Sequence, residues 1–312
     1  MNDATFEKLE FHLIREALAG YCSCGLGKKL AHGLNPSTNS KVIRQWMAQV
    51  REMAEVAITH SLPPMGGIHD ITEAIRASGL PAPLEPNVLA DVAETLAATG
   101  TLHVWFGKIG DTAPQLGHLR DRITDLSPMA TVINDAIDSR GHVRDYASPK
   151  LASIRRTIED ARAQIKIVFD RILRQTGIAK ILQYAGATFH NDRGVLPLKA
   201  EHRGRIPGII HRSSDSGATL FVEPSASVEL NNSLVRLRED EEKEITRILV
   251  ELTRHLHAAA ENILRTIRAI GALDLIAAKC RYAKARNCVC PEIDDGGILA
   301  VHAARHPILI EI

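Results

Sequence analysis

Seven groups that carry or can take up positive charge fall within twenty residues: Arg193, Lys199, His202, Arg203, Arg205, His211 and Arg212, opposed in that span only by Glu201 and, just before it, Asp192. Phosphate oxygens bind guanidinium and ammonium groups at this density. Such contacts hold a nucleic acid in place without reading its bases, and they weaken as salt rises. The same strip also suits a solvated face packed against other protein, and the residue types leave both readings open. Gly204, Gly208 and Gly217 read as turn formers rather than as a phosphate cradle.

The other chemistry-bearing residues fail on spacing. His255 and His257 are two apart, so on a helix they point to different faces and cannot share a metal. His190, His202 and His211 lie near Ser213, Ser214, Asp215 and Ser216, but that serine-rich run before Gly217 is an ordinary turn, and no G-x-S-x-G occurs. Gly20 and Gly25 have the four-residue gap of a phosphate loop, but Leu26 stands where its lysine should be, and Gly27-Lys28 lacks the earlier glycine. Asp70, Asp91, Asp111, Asp121 and Asp125 share no spacing and read as solvated helix faces. Cys22, Cys24, Cys280, Cys288 and Cys290 include two C-x-C pairs, short of the C-x₂₋₄-C spacing of zinc sites, and are expected to be reduced and structural. No catalytic, cofactor-binding or metal-ligating residue is therefore expected, and the basic strip is the one candidate nucleic-acid-binding set.

The 312 residues balance 38 basic against 37 acidic side chains for a net charge of +1, so no global field gathers nucleic acid and any contact must be local. Apolar residues make up 45% and aromatic ones only 4%, which favours helices packed on helices. The absence of a long apolar run, and of an apolar core near the N-terminus, points to a cytoplasmic chain with no membrane partner.

The fold class expected is mainly α, with a small antiparallel β module at 187–224 held between two long helical patterns. Within the module, Val195, Leu196, Leu198, then Ile206, Ile209, Ile210, then Leu220, Phe221, Val222 alternate with turn clusters, predicting about four short strands in a meander. Pro197 and Pro207 belong at edges or bulges.

Ser148-Pro149 caps a helix whose Leu151, Ile154, Ile158, Ala161, Ile165, Val168 and Ile172 step by threes and fours, predicting a heptad seam to about residue 182. A second pattern runs over 228–285 with a break near Gly271. Its charged stretch RLREDEEKE at 236–244 reads as projecting into solvent. The two rods should lie antiparallel, as a lever carrying the β module. Upstream, helices are expected over about 6–32 with a loosening at Gly25-Leu26-Gly27, from a cap at Ser37 or Thr38 to Ala57 with Val42, Ile43, Trp46, Val50, Met53 and Ala54 on one side, and over about 88–106 and 129–138. The expected domains are 1–145, a helical core; 146–290, the lever helices with the module; and 291–312, a Gly296-Gly297 turn followed by short strands.

The segments VLPLKAEHRGRIPGIIH and SSDSGATLFVEP with VELNN resemble the MutS family, and more closely its type-two, Smr-associated branch. The resemblance extends from LEFHLIREALAGYCSCGLGKKLAHGLNPST through PPMGGIHDI and VRDYASPKLASIRR to ARHPIL. It implies the core-and-lever region of such a protein, ahead of an ATPase domain whose G-x-x-x-x-G-K-(S/T) does not occur here. For a whole protein of that branch it implies an ATP- and Mg-dependent homodimer that engages mismatched or branched DNA, limits recombination or rescues stalled ribosomes. Some members carry a C-terminal nuclease. A purely structural or dimerisation role for this region is the alternative.

Overall fold

A computed structural model describes residues 3–190, 193–294, 296–297 and 299–308. Its helices are α1 (Asp3–Lys8), α2 (Phe11–Gly20), α3 (Gly25–His32), α4 (Ser40–Thr59), α5 (Thr72–Ala77), α6 (Pro86–Ile109), α7 (Gly117–Arg120), α8 (Ser127–Ala136), α9 (Pro149–Leu173) and α10 (Ile178–Ile181). Strands β1 (Thr188–His190), β2 (Arg193–Lys199), β3 (Gly208–Ser213) and β4 (Thr219–Pro224) follow, then α11 (Val228–Ala258) and α12 (Ala260–Ala285). The fold is mainly α with one small antiparallel sheet. It divides into two compact units, Met1–His142 with Val250–Ile312, and Val143–Leu249, the boundary falling within α11.

In the first unit α6 is buried along most of its length: Leu89, Val92, Leu96, Leu102, Phe106 and Ile109 are all nearly sealed from solvent. Pro86 in its first turn presets helical φ, and Gly110 ends it with φ +54°. A helix buried this completely must satisfy its own polar groups. Thr95 donates to the Asp91 carbonyl and accepts from the His69 amide; Thr99 does the same between the Leu96 carbonyl and the Leu126 amide. Glu52 of α4, also buried, accepts from the Gln115 and Leu116 amides at 2.9 Å each. These side chains pin the intervening loops to the helical layer, where an unmet amide would cost about 1–3 kcal/mol.

Helices α3 and α12 pack together. The fully buried carboxylate of Asp274 accepts from the Ser23 and Cys24 amides at 3.0 Å, at the N-terminus of α3, where a negative charge meets the positive end of the helix dipole. A side chain at Gly27 would occupy the space of that carboxylate. Gly25-Leu26-Gly27 therefore starts a helix instead of loosening one; the break lies at 21–24. Gly271 likewise sits buried inside α12 facing Leu26 and Leu30, and the helix break expected there falls at Ala259. Both glycines serve close helix approach. Cys22, Cys24 and Cys280 are buried free thiols, while Cys288 and Cys290 are free and exposed. Burial pushes the Cys24 thiol up to about 12, and Asp274, to which it donates, adds to the rise.

Three further expectations are corrected. The cap of α4 is Asn39, whose side chain accepts from the Lys41 and Val42 amides, not Ser37 or Thr38. Of the side expected to face inward only Met53 is sealed, together with Gln49, Glu52 and Val56, whereas Val42, Ile43, Trp46, Val50 and Ala54 remain partly open. The described residues beyond Pro291 form no strand.

In the second unit Ser148 caps α9, accepting from the Leu151 amide at 3.0 Å. Leu151, Ile158, Ala161, Ile165 and Phe169 form its buried stripe. The helix stops at Leu173, short of residue 182: Gly177 turns the chain with φ +87°, and α10 follows. The stretch at 236–244 does not project freely into solvent. Glu241 and Glu244 are buried against α9. Ser148 donates to Glu244 Oε1 at 2.9 Å, Arg247 Nη2 donates to the same oxygen at 2.7 Å, and Arg155 Nε donates to Glu241 Oε1 at 2.8 Å. Partner numbers fall along α11 as they rise along α9, so the two helices run antiparallel. Apolar periodicity could not register this seam because here its teeth are ion pairs.

Candidate nucleic-acid interface

The sheet order is β1-β2-β4-β3, antiparallel throughout. It is not a plain meander, because the segment after β2 crosses over and β4 enters between β2 and β3. Leu196, Leu198, Leu220 and Val222 point to one face and pack on Ile158, Ile165 and Phe169 of α9 and Leu234 of α11. Gly194 lies on that face directly against Ile165 and Phe169, where no side chain would fit. Pro197 sits where β2 has lost β1 and is met on that side only by the bridge of Leu182 to Leu198, and Pro207 immediately precedes the edge strand β3. β3 is exposed along its whole length, with Ile209 49% and Ile210 37% open and a bulge between Ile210 and Arg212.

The basic strip divides into three groups. Arg193 and His211 turn inward onto Glu223, which is fully buried on β4. Arg193 Nη1 donates to both Glu223 oxygens at 3.0 and 3.1 Å, His211 Nε2 shares Oε2, and Asn231 Nδ2 donates to Oε1 at 2.8 Å. Arg193 Nη2 also donates to Asn232 Oδ1, and Asn231 bridges both backbone groups of Gly194. A buried carboxylate is tolerated only when its lone pairs are met this fully. Neither cation is therefore available to a ligand while this network holds.

Lys199, His202 and Arg212 form the second group, exposed or half-buried and each engaged by a neighbour. Lys199 Nζ donates to the Lys180 carbonyl at 3.0 Å, His202 stands 3.5 Å from Glu201, and Arg212 Nη2 pairs with Asp215 at 2.9 Å. Exposed pairs of this kind are worth about 0–1 kcal/mol, so a phosphate can compete for these cations.

Arg203 and Arg205 form the third group. They flank Gly204, which has φ +83°, in the segment between β2 and β3, and the turn closes through the Arg203 amide to Ala200 and the Arg205 amide to His202. Ile206 is buried next to them and anchors the turn on the hydrophobic core. Both arginines are exposed, and among the described residues neither guanidinium group has a hydrogen-bond or ion-pair partner. Asp192 lies outside the described residues.

Glu223, Asn231 and Asn232 escaped the residue-by-residue reading. Their only signal was that EP and NN lie within the quoted FVEP and VELNN. Among the described residues no group of three or more His, Cys, Asp or Glu side chains could hold a metal ion, and no helix is long and apolar enough to cross a membrane.

No family model matches the chain. It is similar to Endonuclease MutS2 of Ruminiclostridium cellulolyticum, 35% identical over 311 residues that cover 99% of this chain and 39% of the relative. Endonuclease MutS2 of Geobacillus sp. is 34% identical over 312 residues, covering 99% and 40%. Putative endonuclease MutS2 of Bacillus subtilis is 32% identical over the same shares. The chain thus spans about two-fifths of the length of these curated relatives. Over nearly all of its own residues the chain is thus similar to proteins of one name, those of the MutS2 branch of the MutS family.

Proposed function

We propose that the β module is the nucleic-acid-contacting part of this chain, with Arg203 and Arg205 as its phosphate ligands and Lys199, His202 and Arg212 as exchangeable neighbours. One observation carries this reading: two exposed guanidinium groups on a turn anchored by Ile206, with no partner among the described residues. The contacts proposed are to backbone phosphate, which positions a nucleic acid without reading its sequence. The ion-paired helices α9 and α11 support a stiff mounting for the module, and we read them as a lever that passes motion along the chain. For a whole protein of this branch we propose ATP-dependent binding of branched or mismatched DNA as a homodimer, with suppression of recombination or ribosome rescue as the outcome. ATP and Mg would be held by residues outside these 312, and no endonuclease chemistry is assigned to this chain.

The test is titration of the chain with duplex and branched DNA between about 50 and 200 mM salt. Arg203→Ala with Arg205→Ala is expected to lower the slope of log affinity on log salt by about 1.8, two phosphate contacts at about 0.9 each. Undetectable binding at low salt, or an unchanged slope in the double variant, favours a scaffold with no nucleic-acid contact. The inward-turned Arg193 and His211 would then stand as part of that scaffold.

A further inference from the structure

The half-open face of α4 lines a groove of about 820 Å³ in the first unit. Ile43, Trp46, Val50 and Ala54 recur along one side of α4 at helical spacing and form one wall. The end of α12 and the segment after it, including Val289 and Pro291, form the other. That volume lies within the range of about 300–1,000 Å³ typical of small-molecule sites, which are apolar clefts with a few placed polar groups.

The polar groups here are one-sided. Arg51, Lys279 and Lys284 line the groove, and among the described residues no aspartate or glutamate does. Lys279 Nζ lies 5.4 Å from the centre of the Trp46 ring, and among the described residues neither a carboxylate nor a hydrogen-bond acceptor meets it. An ammonium held over an aromatic face beside an apolar wall, without a counter-ion, is half of an ion pair. Burial holds it below lysine's ordinary value, consistent with this dehydrated setting.

We infer that the groove binds a small amphiphilic anion: an acyl-chain or fused-ring body along α4, with a carboxylate, sulfonate or phosphate against Lys279. The apolar wall alone would accept any oily body; the cation-only lining selects the sign of its head group. This inference stands apart from the nucleic-acid reading, since it uses none of the same residues and lies in the other unit.

Decanoate is the probe, followed by calorimetry and by tryptophan emission on the 312-residue chain. Trp46 is 38% exposed and Trp105 only 5%, so a change in emission reports on the groove. Saturable binding with one decanoate per chain is expected, with no comparable binding of decyltrimethylammonium. Lys279→Met, which keeps the aliphatic stem on Trp46, is expected to weaken decanoate about tenfold, the worth of one charge-assisted contact. Lys279→Gln should do the same, and a thermal melt of each variant confirms that the fold is intact. Absence of saturable decanoate binding, equal binding of the cationic amphiphile, or unchanged affinity in both folded variants overturns the inference.

Discussion

Glu223 decides which cations of the β module can meet a ligand. Because it is sealed from solvent and accepts from Arg193, His211 and Asn231, its loss leaves a largely desolvated guanidinium and a buried amide without their acceptor. Glu223→Ala is expected to cost about 3 kcal/mol in urea unfolding, near the low end for a broken buried pair because Arg193 keeps some exposure. Arg203→Ala should change stability by no more than about 0.5 kcal/mol, as expected of an exposed residue touching nothing. Composition and spacing made all seven cations visible in the sequence but could not sort them. Sorting needs the partner, and Glu223 lies thirty residues from Arg193 and twelve from His211. Such distances are bridged only by strand register, which no local count supplies.

A second residue-scale prediction concerns Glu244. The hydrogen bond from Arg247, helped by that from Ser148, outweighs burial and pushes its carboxyl from 4.5 down to about 2. A depressed carboxylate contributes stability that is fully present above its unfolded value of 4.5 and drains away as pH falls toward about 2. Urea midpoints followed from pH 5 downward should therefore drop more steeply for the native chain than for Glu244→Gln. Parallel acid limbs would show that Glu244 does not carry this dependence.

At the scale of elements, the long helices were legible where apolar residues supply the seam. Leu151, Ile158, Ala161 and Ile165 step as the pattern requires and are buried. The pattern stopped being informative where α11 meets α9 through charge. Arg155 binds Glu241 while also donating to the Val143 carbonyl and Asp145, so one guanidinium joins α11, α9 and the segment before α9. A double-mutant cycle of Arg155→Ala and Glu241→Ala is expected to return a coupling of about 1 kcal/mol, above the usual value of a solvated pair because both side chains are mostly covered. Coupling indistinguishable from zero would reduce the contact to a surface pair. The α3–α12 contact illustrates the opposite blind spot. Glycines at 25, 27 and 271 look like helix breakers by propensity, yet two of them are what let a carboxylate and a neighbouring helix approach. Propensity is a local quantity, and close packing overrides it.

For the molecule as a whole, the near-zero net charge means that the proposed nucleic-acid affinity would have to come from a few placed cations, so it should fall off gently with salt compared with a strongly basic protein. The division into units adds a second expectation. Residues 143–249 are contiguous and enclose their own apolar cluster of α9, α11 and sheet residues. A polypeptide of that span should fold alone and melt cooperatively by circular dichroism; a non-cooperative, molten profile would mean that its stability depends on the remaining residues.

The open strand β3 carries one last implication. Isoleucines beside an unpaired backbone ladder invite a second molecule to dock strand to strand, the first step toward insoluble stacks. The nearby arginines, together with the irregular ladder at His211, discourage that meeting through like-charge repulsion and a broken register. Stripping those guanidinium groups should accordingly make concentrated stocks cloud sooner, a colloidal penalty distinct from any change in folding free energy.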